Sequence, residues 1–217
     1  MTDYATRRTM MVDTQIRPSD VTKFPIISAM LSVPRENFVP RDTRETAYMG
    51  DNIGLGGNRT ILDPRTFAKM LDALDIQPTD FVLDIGMGLG YSAAVLSQLS
   101  EAVVAVEDDQ THFDEATEAL NDIGADNVIA HHGALSEGAA EHGPYDVIVI
   151  QGAVEHVPDT IVSQLKDGGK IACLFAEGAL GTVKIGYKLD GRVDWRASFN
   201  AGAPLLDGFQ RHRGFAL

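Results

Sequence analysis

The spacing of hydrophobic residues divides the chain into two parts. From Tyr4 to about Met70, apolar residues recur at irregular helical spacings that Val33-Pro34 and Val39-Pro40 interrupt, so short helices and loops are predicted. From Phe81 onward, short β-branched apolar runs alternate with helix-length stretches. Runs of this kind are typical of parallel strands that are buried on both faces. We therefore expect a parallel sheet with helices on both sides.

Five apolar runs predict the parallel strands, namely 81–85, 103–106, 127–130, 147–150 and 170–175. Crossover helices are expected at 92–99 and 114–123. Two further runs, 182–189 and 192–199, flank Asp190-Gly191, a dipeptide that favours a tight hairpin because both turn positions need positive φ. The pattern predicts an α/β fold with a mostly parallel seven-stranded sheet, a terminal antiparallel hairpin and an N-terminal helical extension. By analogy of fold, this ending is more typical of Rossmann-like class I methyltransferases than of dinucleotide dehydrogenases.

Composition and charge narrow the class of protein. A chain of 217 residues with 44% hydrophobic residues can bury one substantial core, so we expect a single domain over residues 1–217, with an N-terminal substrate-side extension at 1–70 and a cofactor-binding core at 71–217. The net charge of −13 disfavours nucleic acid and anionic membranes as partners. Cys173 is the only cysteine, which excludes a disulfide framework and a multi-thiolate metal site. Without a long apolar run or a signal-like N-terminus, a cytoplasmic location is expected.

The most specific motif follows the first predicted strand and runs from Asp84 to Tyr91 as D-I-G-M-G-L-G-Y. Its three glycines, Gly86, Gly88 and Gly90, allow a tight turn and close approach of a ligand to the carboxyl end of the strand. Tyr91 stands where a dinucleotide fingerprint needs its third glycine, and the Gly-Lys-Ser/Thr of a phosphate-binding loop is absent. The carboxylate of Asp84 would repel a pyrophosphate and attract an ammonium. The motif therefore favours a cationic ligand.

A second acid supports a nucleoside ligand. Glu107, followed by Asp108, stands at the end of the next predicted strand, where a carboxylate can accept both hydroxyls of a ribose. S-adenosylmethionine (SAM) carries a ribose, an adenine and an ammonium but no phosphate. We therefore predict that SAM is the cofactor and that Met87, in the glycine loop, is among the residues that bind it.

Several segments resemble the protein-L-isoaspartate O-methyltransferase family. Residues 11–17 are similar to its M-V-x-x-Q-I-R start, 33–40 to its V-P-R-E-x-F-V-P segment and 82–91 to its V-L-E-I-G-T-G-S-G-Y loop. Ala47-Tyr48 and residues 164–170 are similar to its A-Y-x-D and Q-L-K-P-G-G-R segments. The chain is therefore identified as a divergent member of this family.

The resemblance implies a SAM-dependent carboxyl O-methyltransferase whose substrates are L-isoaspartyl residues of damaged proteins or peptides. The family's G-Q-T-I-S-x-P segment corresponds to residues 58–64, where Thr60 is kept as the candidate catalytic residue and Leu62 replaces the serine. Gly133 and Ala134 correspond to the family's G-D-G near adenine, without its acid, and Gln151 replaces a small residue after the fourth strand. The resemblance implies that these three positions complete the cofactor site.

The expected chemistry needs few residues. An isoaspartyl carboxylate has a pKa of about 4 and is already ionised at neutral pH, so no general base is required and positioning dominates. Leu62 removes an orienting hydroxyl, for which Thr60, Gln151 or backbone N–H groups would have to compensate. Two alternatives stay open: a methyltransferase of the same fold with another acceptor, and a SAM-binding protein without repair activity. No metal is expected, because the adjacent His131 and His132 point to opposite faces of a strand.

Overall fold

The computed structural model describes residues 3–177 and 180–211. Its strands, in chain order, are β1 Ile53–Gly56, β2 Arg59–Ile61, β3 Phe81–Ile85, β4 Ala102–Glu107, β5 Val128–His132, β6 Tyr145–Val154, β7 Leu165–Phe175, β8 Gly181–Leu189 and β9 Arg192–Ala201. Its α-helices are α1 Tyr4–Met11, α2 Phe24–Ser32, α3 Pro64–Leu74, α4 Tyr91–Leu96, α5 Gln110–Asp122 and α6 Asp159–Gln164. A π-helix covers Val12–Ile16, and 3-10 turns cover Arg17–Ser19, Arg35–Asn37, Arg41–Thr46 and Ala140–His142.

Seven strands form the main sheet, in the order β5-β4-β3-β6-β7-β8-β9. Neighbouring strands from β5 to β7 are parallel, whereas β8 is antiparallel to both β7 and β9. In the turn between β8 and β9, Asp190 has φ 51° and Gly191 has φ 73°. The predicted mostly parallel sheet with a terminal antiparallel hairpin is therefore confirmed. Since β3, β4 and β6 are parallel neighbours, their carboxyl ends meet at one edge, where ligands bind in sheets of this type.

Both faces of the parallel sheet are covered. Val82 and Val103 belong to one apolar cluster, and their chain neighbours Leu83 and Val104 belong to a second cluster on the opposite face. All four side chains are fully buried. This explains why the sequence has continuous rather than alternating apolar runs in these strands. None of the helices in the described residues is long and apolar enough to cross a membrane.

The limits of several helices depend on local polar groups. The side chain of Asp109 accepts a hydrogen bond from the backbone N–H of His112 at 2.9 Å, so α5 begins earlier than the sequence predicted. Asp63 caps α3 in the same way through Thr66 at 2.9 Å, and Pro64 occupies the first helical turn. Helix α4 is shorter than predicted and ends at Leu96.

The prediction of helices and loops alone for the first 70 residues was incomplete. Strands β1 and β2 form a small antiparallel hairpin there, with Gly54 opposite Thr60. Gly56, the last residue of β1, and Gly57, which follows it in the turn, have φ of 96° and 54°. The strands contain only four and three residues, too few for an alternating pattern to be recognised in the sequence.

Candidate active site

The glycine loop connects β3 to α4 at the carboxyl edge of the sheet. The backbone N–H groups of Gly86 and Met87 donate to the carbonyl of Val106 at 2.9 and 3.1 Å, which fixes the loop against β4. Gly88 has φ 57°, and a Cβ atom there would lie 2.6 Å from Cδ1 of Leu55. The positive φ therefore favours glycine at this position, and a larger residue would also require the Leu55 side chain to move.

Asp84 lies at the carboxyl end of β3 and is fully buried. Its two carboxylate oxygens accept hydrogen bonds from Nε2 of Gln151 at 2.8 Å and from Oγ of Ser92 at 2.5 Å. Burial raises the pKa of Asp84 to about 6, although both hydrogen bonds act to lower it. The structure thus brings Asp84 and Gln151 together, and Asp84 is ionised at neutral pH.

Glu107, at the end of β4, is also fully buried, and its carboxylate is paired with a side chain that the sequence analysis had not considered. Arg59 of β2 donates from Nε at 3.2 Å and, through Nη2, to the second oxygen of the same carboxylate. Backbone N–H groups of Gly88, Asp108 and Asp109 donate to it at 2.7, 3.2 and 3.3 Å. The two oxygens that were predicted to accept ribose hydroxyls are therefore engaged by a guanidinium.

The guanidinium of Arg59 also lies against the glycine loop. A Cβ atom at Gly86 would be 2.8 Å from its Nη1, and this nitrogen is buried without a hydrogen-bond partner among the described residues. The available signal was a basic residue directly before Thr60, in the segment where the family has glutamine. A single basic residue forms no periodic pattern, and Glu107 lies far from Arg59 along the chain. The pairing of Arg59 with Glu107 could therefore not be predicted from the spacing of residues.

A small cleft lies between the hairpin and the glycine loop and encloses only about 10 Å³. It is lined by Thr60, Ile61, Leu62, Phe67, Gly86, Met87, Tyr91, Ser92 and Gln151. Thr60 is almost fully buried, and its hydroxyl donates to the carbonyl of Ile53 at 3.0 Å. Four predicted site residues, Thr60, Gly86, Met87 and Gln151, therefore border one cleft, with Thr60 already engaged by its own hairpin.

The other predicted cofactor residues lie at different places around this edge. Gly90 precedes α4 with φ 96° and packs closely against Leu120 of α5. Oδ1 of Asp108 is 3.8 Å from Nε of Arg59, and burial raises the pKa of this carboxyl. The backbone N–H of Gly133 donates to the carbonyl of Glu107 at 3.1 Å, whereas Ala134 is exposed.

A second buried arginine connects the N-terminal part of the chain to the cleft. Arg35 is fully buried and donates from Nε to the carbonyl of Ala47 at 2.8 Å and from Nη2 to the carbonyl of Leu62 at 2.9 Å. Its guanidinium carbon lies 4.6 Å from the ring centre of Tyr91. Burial lowers the pKa of Arg35. Arg35 is part of the segment that resembles the family, but its sequence pattern predicted no role for it.

The side chains agree with the chemical groups of SAM, but the available space is smaller than SAM requires. Asp84 and Glu107 are buried carboxylates, which are groups that can accept hydrogen bonds from an ammonium or from ribose hydroxyls. Ligand pockets usually enclose about 300 to 1,000 Å³, so the cleft must widen. Arg59 bonds both oxygens of Glu107, so it must also leave this carboxylate before a ribose can replace it. The residues fit the cofactor provided that Arg59 moves.

Comparison with known proteins identifies the family of the chain. The family profile described as protein-L-isoaspartate(D-aspartate) O-methyltransferase (PCMT) matches residues 6–182. Protein-L-isoaspartate O-methyltransferase 2 of Pelobacter propionicus is 34% identical over 200 residues, which cover 92% of this chain and 89% of that protein. Protein-L-isoaspartate O-methyltransferase of Koribacter versatilis is 33% identical over 196 residues, with 89% and 87% covered.

Solved structures give the same result for the fold. A protein-L-isoaspartate O-methyltransferase superposes with a TM-score of 0.81 at 26% identity, covering 93% of this chain and 66% of that chain. A Plasmodium falciparum protein, solved in complex with S-adenosyl-L-homocysteine, superposes with a TM-score of 0.79 at 18% identity, covering 95% and 99%. The profile match and the identity over nearly the whole length establish that the chain belongs to the protein-L-isoaspartate(D-aspartate) O-methyltransferase family.

Proposed function

We propose that this chain transfers a methyl group from SAM to the free carboxylate of L-isoaspartyl residues in damaged proteins or peptides. Family membership makes it a SAM-dependent methyltransferase. The observation that best supports the proposed site is that Asp84 and Glu107, at the tips of two neighbouring parallel strands, are both buried beside the glycine loop. When bound, SAM supplies an activated methyl group on a positively charged sulfur.

In this proposal the chain's residues bind and orient. Asp84 faces the ammonium, Glu107 accepts the ribose hydroxyls after Arg59 has moved, and the backbone of the glycine loop permits close approach. Gly133 and Asp108 flank the nucleoside, and Ala134 offers no acceptor to the adenine. These assignments are supported by the position of the acids at the carboxyl edge of the sheet, where parallel sheets bind nucleosides.

The acceptor needs positioning rather than a base, because its carboxylate is already ionised at neutral pH. Thr60 is the proposed orienting hydroxyl, and its proton is at present donated to Ile53. Thr60 can donate to a substrate carboxylate only after this bond breaks, and because both residues belong to the hairpin, it breaks by rotation of the threonine side chain. Leu62 contributes no hydrogen bond from its side chain, so Gln151 or backbone N–H groups must complete the orientation.

Methyl transfer to a different acceptor is the second candidate function. It is favoured by Leu62, which makes the wall of the cleft apolar where the family has a hydroxyl. An apolar wall suits a substrate whose acceptor atom is flanked by an uncharged or apolar group. It suits a substrate with a second polar group at this place less well, because that group would be buried without a hydrogen bond.

Labelled SAM and a matched pair of peptides test these proposals. We expect methylation of a peptide with one isoaspartyl residue and none of its aspartyl twin, and we expect Leu62→Ser to increase the rate by adding an orienting donor. A conservative control, Leu62→Met, keeps the site apolar and should not increase it. Isoaspartyl methylation would be rejected if S-adenosylhomocysteine binds but neither the native chain nor Leu62→Ser labels the isoaspartyl peptide. Methyl transfer to a different acceptor would then be the function to test.

We further propose that residues 1–70 form the substrate-side part of one domain that covers 1–217. The ion pair between Arg59 and Glu107 supports this proposal, because it joins the N-terminal segment to the core at 71–217 beside the cleft. A cytoplasmic location agrees with the one cysteine, Cys173, which is buried in β7 and unpaired.

A further inference from the structure

Two histidines and one glutamate meet beside the edge strand β5. His131 is in β5, and Glu141 and His142 are in the 3-10 turn Ala140–His142. Nδ1 of His131 is 3.5 Å from Oε1 of Glu141, and Nε2 of His142 is 3.4 Å from the same oxygen. The three atoms that could each bind a metal all lie within 4.8 Å of one another. One carboxylate oxygen is thus placed between two imidazole nitrogens.

The surrounding backbone holds this arrangement in place. A Cβ atom at Gly133 would lie 2.9 Å from Nε2 of His131, so this side of the ring rests on a glycine and Nδ1 is left to face the cluster. The hydroxyl of Tyr145 donates to the carbonyl of Ala139 at 2.6 Å, and the backbone N–H of His142 donates to the same carbonyl at 3.1 Å. The turn that carries two of the three groups is therefore anchored to the buried start of β6.

We propose that His131, Glu141 and His142 form a binding site for one divalent transition-metal ion of the zinc type, with water in the remaining position. Tetrahedral zinc with bonds of about 2.0 to 2.1 Å places neighbouring ligand atoms about 3.3 to 3.4 Å apart. The two distances to the glutamate oxygen match this edge, and both exceed the roughly 2.7 to 3.2 Å of a direct N–H···O bond. Imidazole and carboxylate are ligands that zinc, copper and nickel accept.

Orientation and charge agree with this assignment. The two imidazole rings have centres 5.6 Å apart and planes at 82°. Two imidazoles bound to one tetrahedral ion place their ring centres about 5 Å apart, given the same bond lengths. The side chains of His131, His142 and Glu141 are 23%, 32% and 68% exposed, so an ion can enter from solvent. A net charge of −13 also favours cations near the protein.

The expectation that no metal binds was based only on the adjacent pair His131 and His132. The structure turns His132 toward Phe113, with ring centres 5.4 Å apart, and joins His131 to His142 instead. Among the described residues, this is the one group of three such side chains close enough to share an ion.

An ion at this place would strengthen the edge of the sheet that carries the cofactor acid. His131 is paired in register with Val106, the neighbour of Glu107, and Gly133 donates its backbone N–H to the carbonyl of Glu107. The ion would tie the end of β5 to the following turn. Its role is therefore structural, and methyl transfer does not pass through it.

Cobalt(II) is a suitable probe because its visible absorption distinguishes tetrahedral nitrogen–oxygen coordination from hydrated ion. The native chain, freed of metal by chelation, is titrated with cobalt(II) and then with zinc(II) at neutral pH. We expect saturation at one equivalent, displacement of cobalt by zinc and a higher melting temperature with zinc. Glu141→Gln and His142→Gln change side chains of the turn that are in contact with solvent. Each should weaken the binding of cobalt(II) by at least roughly 10- to 100-fold, which is the loss typical when a group that supports a metal is removed.

His112→Gln is the matched control, since it removes a histidine outside the cluster and should leave cobalt binding unchanged. Circular dichroism checks that every variant is folded. The proposal is overturned if the native chain shows no saturable cobalt spectrum, or if Glu141→Gln and His142→Gln bind as tightly as the native chain and the control. It is supported if both variants lose the spectrum while the control retains it.

Discussion

Replacement of Arg59 by glutamine is expected to lower stability and to raise cofactor affinity in the same protein. In the native chain, Arg59 is 9% exposed and Glu107 is fully buried, so their ion pair lies away from solvent. Glutamine cannot supply the positive charge or the two-point contact. The two effects have opposite signs because the same guanidinium stabilises the free protein and competes with the ribose.

The loss of stability follows from what remains around Glu107. Removing one partner of a buried ion pair costs about 3 to 5 kcal/mol in general. The backbone N–H groups of Gly88, Asp108 and Asp109 still donate to this carboxylate, which reduces the cost to about 2 to 3 kcal/mol. For a protein of this size, 1 kcal/mol corresponds to about 2 to 4 °C. We expect the melting temperature to fall by roughly 4 to 12 °C.

The gain in affinity follows from the bonds that the cofactor no longer has to break. A hydrogen bond to a charged group contributes about 1.5 to 3 kcal/mol net. Since about 1.4 kcal/mol corresponds to a factor of ten, removal of Arg59 should tighten the binding of S-adenosylhomocysteine by roughly 10- to 100-fold.

Titration calorimetry and thermal unfolding give the two quantities on the same samples. Arg65→Gln is the matched control, because it removes the same charge from an exposed position of α3 and should change neither quantity appreciably. A loss of affinity in Arg59→Gln, relative to Arg65→Gln, would show that Arg59 helps to hold the cofactor and would refute the competition between guanidinium and ribose.

Two further predictions concern the glycine loop and its acid. Burial raises the pKa of Asp84 from 3.8 to about 6, so protonated Asp84 favours the folded state. This contribution to the free energy of unfolding is about 3 kcal/mol, and it should be lost as the pH rises from about 4 through 6. Urea unfolding of the native chain and of Asp84→Asn across this range should show a larger fall in the native chain, since Asp108 contributes to both curves, and equal falls would contradict the assignment. Binding of S-adenosylhomocysteine to the native chain should weaken as the pH falls through about 6, because protonation removes the charge that faces the ammonium. Gly88→Ala should lower the free energy of unfolding by about 1 to 2 kcal/mol because of its positive φ, and by a further amount because of the contact with Leu55. Gly57→Ala, with φ 54° and open space around it, should show only the first loss in urea unfolding. Equal losses in the two variants would exclude the steric contribution of Leu55.

The sheet could be predicted from the sequence because its determinants are local. Strands β3, β4 and β6 are continuous apolar runs, and Asp190-Gly191 specifies a turn that few other dipeptides adopt. The acids at the ends of β3 and β4 could be located in the same way, since the carboxyl ends of parallel strands share an edge.

The contacts around the cleft could not be predicted, because they join residues far apart in the chain. Arg59 and Glu107 meet only after the hairpin has packed over the glycine loop, and no periodic pattern connects them. Arg35 reaches Leu62 for the same reason. His131 and His142 are separated by a loop and a 3-10 turn, whose course depends on the hydrogen bond from Tyr145 to Ala139.

The small hairpin of β1 and β2 carries residues of both proposed substrate sites. It holds Arg59 against Glu107, Leu55 against Gly88 and Thr60 in the wall of the cleft. Because these residues share one short piece of backbone, a displacement that moves Arg59 away from Glu107 also changes the position of Thr60, which stays bonded to Ile53 of the same hairpin. We therefore expect compulsory-order binding, in which the methyl donor binds first. Before the donor has bound, the binding site for the peptide would be incompletely formed.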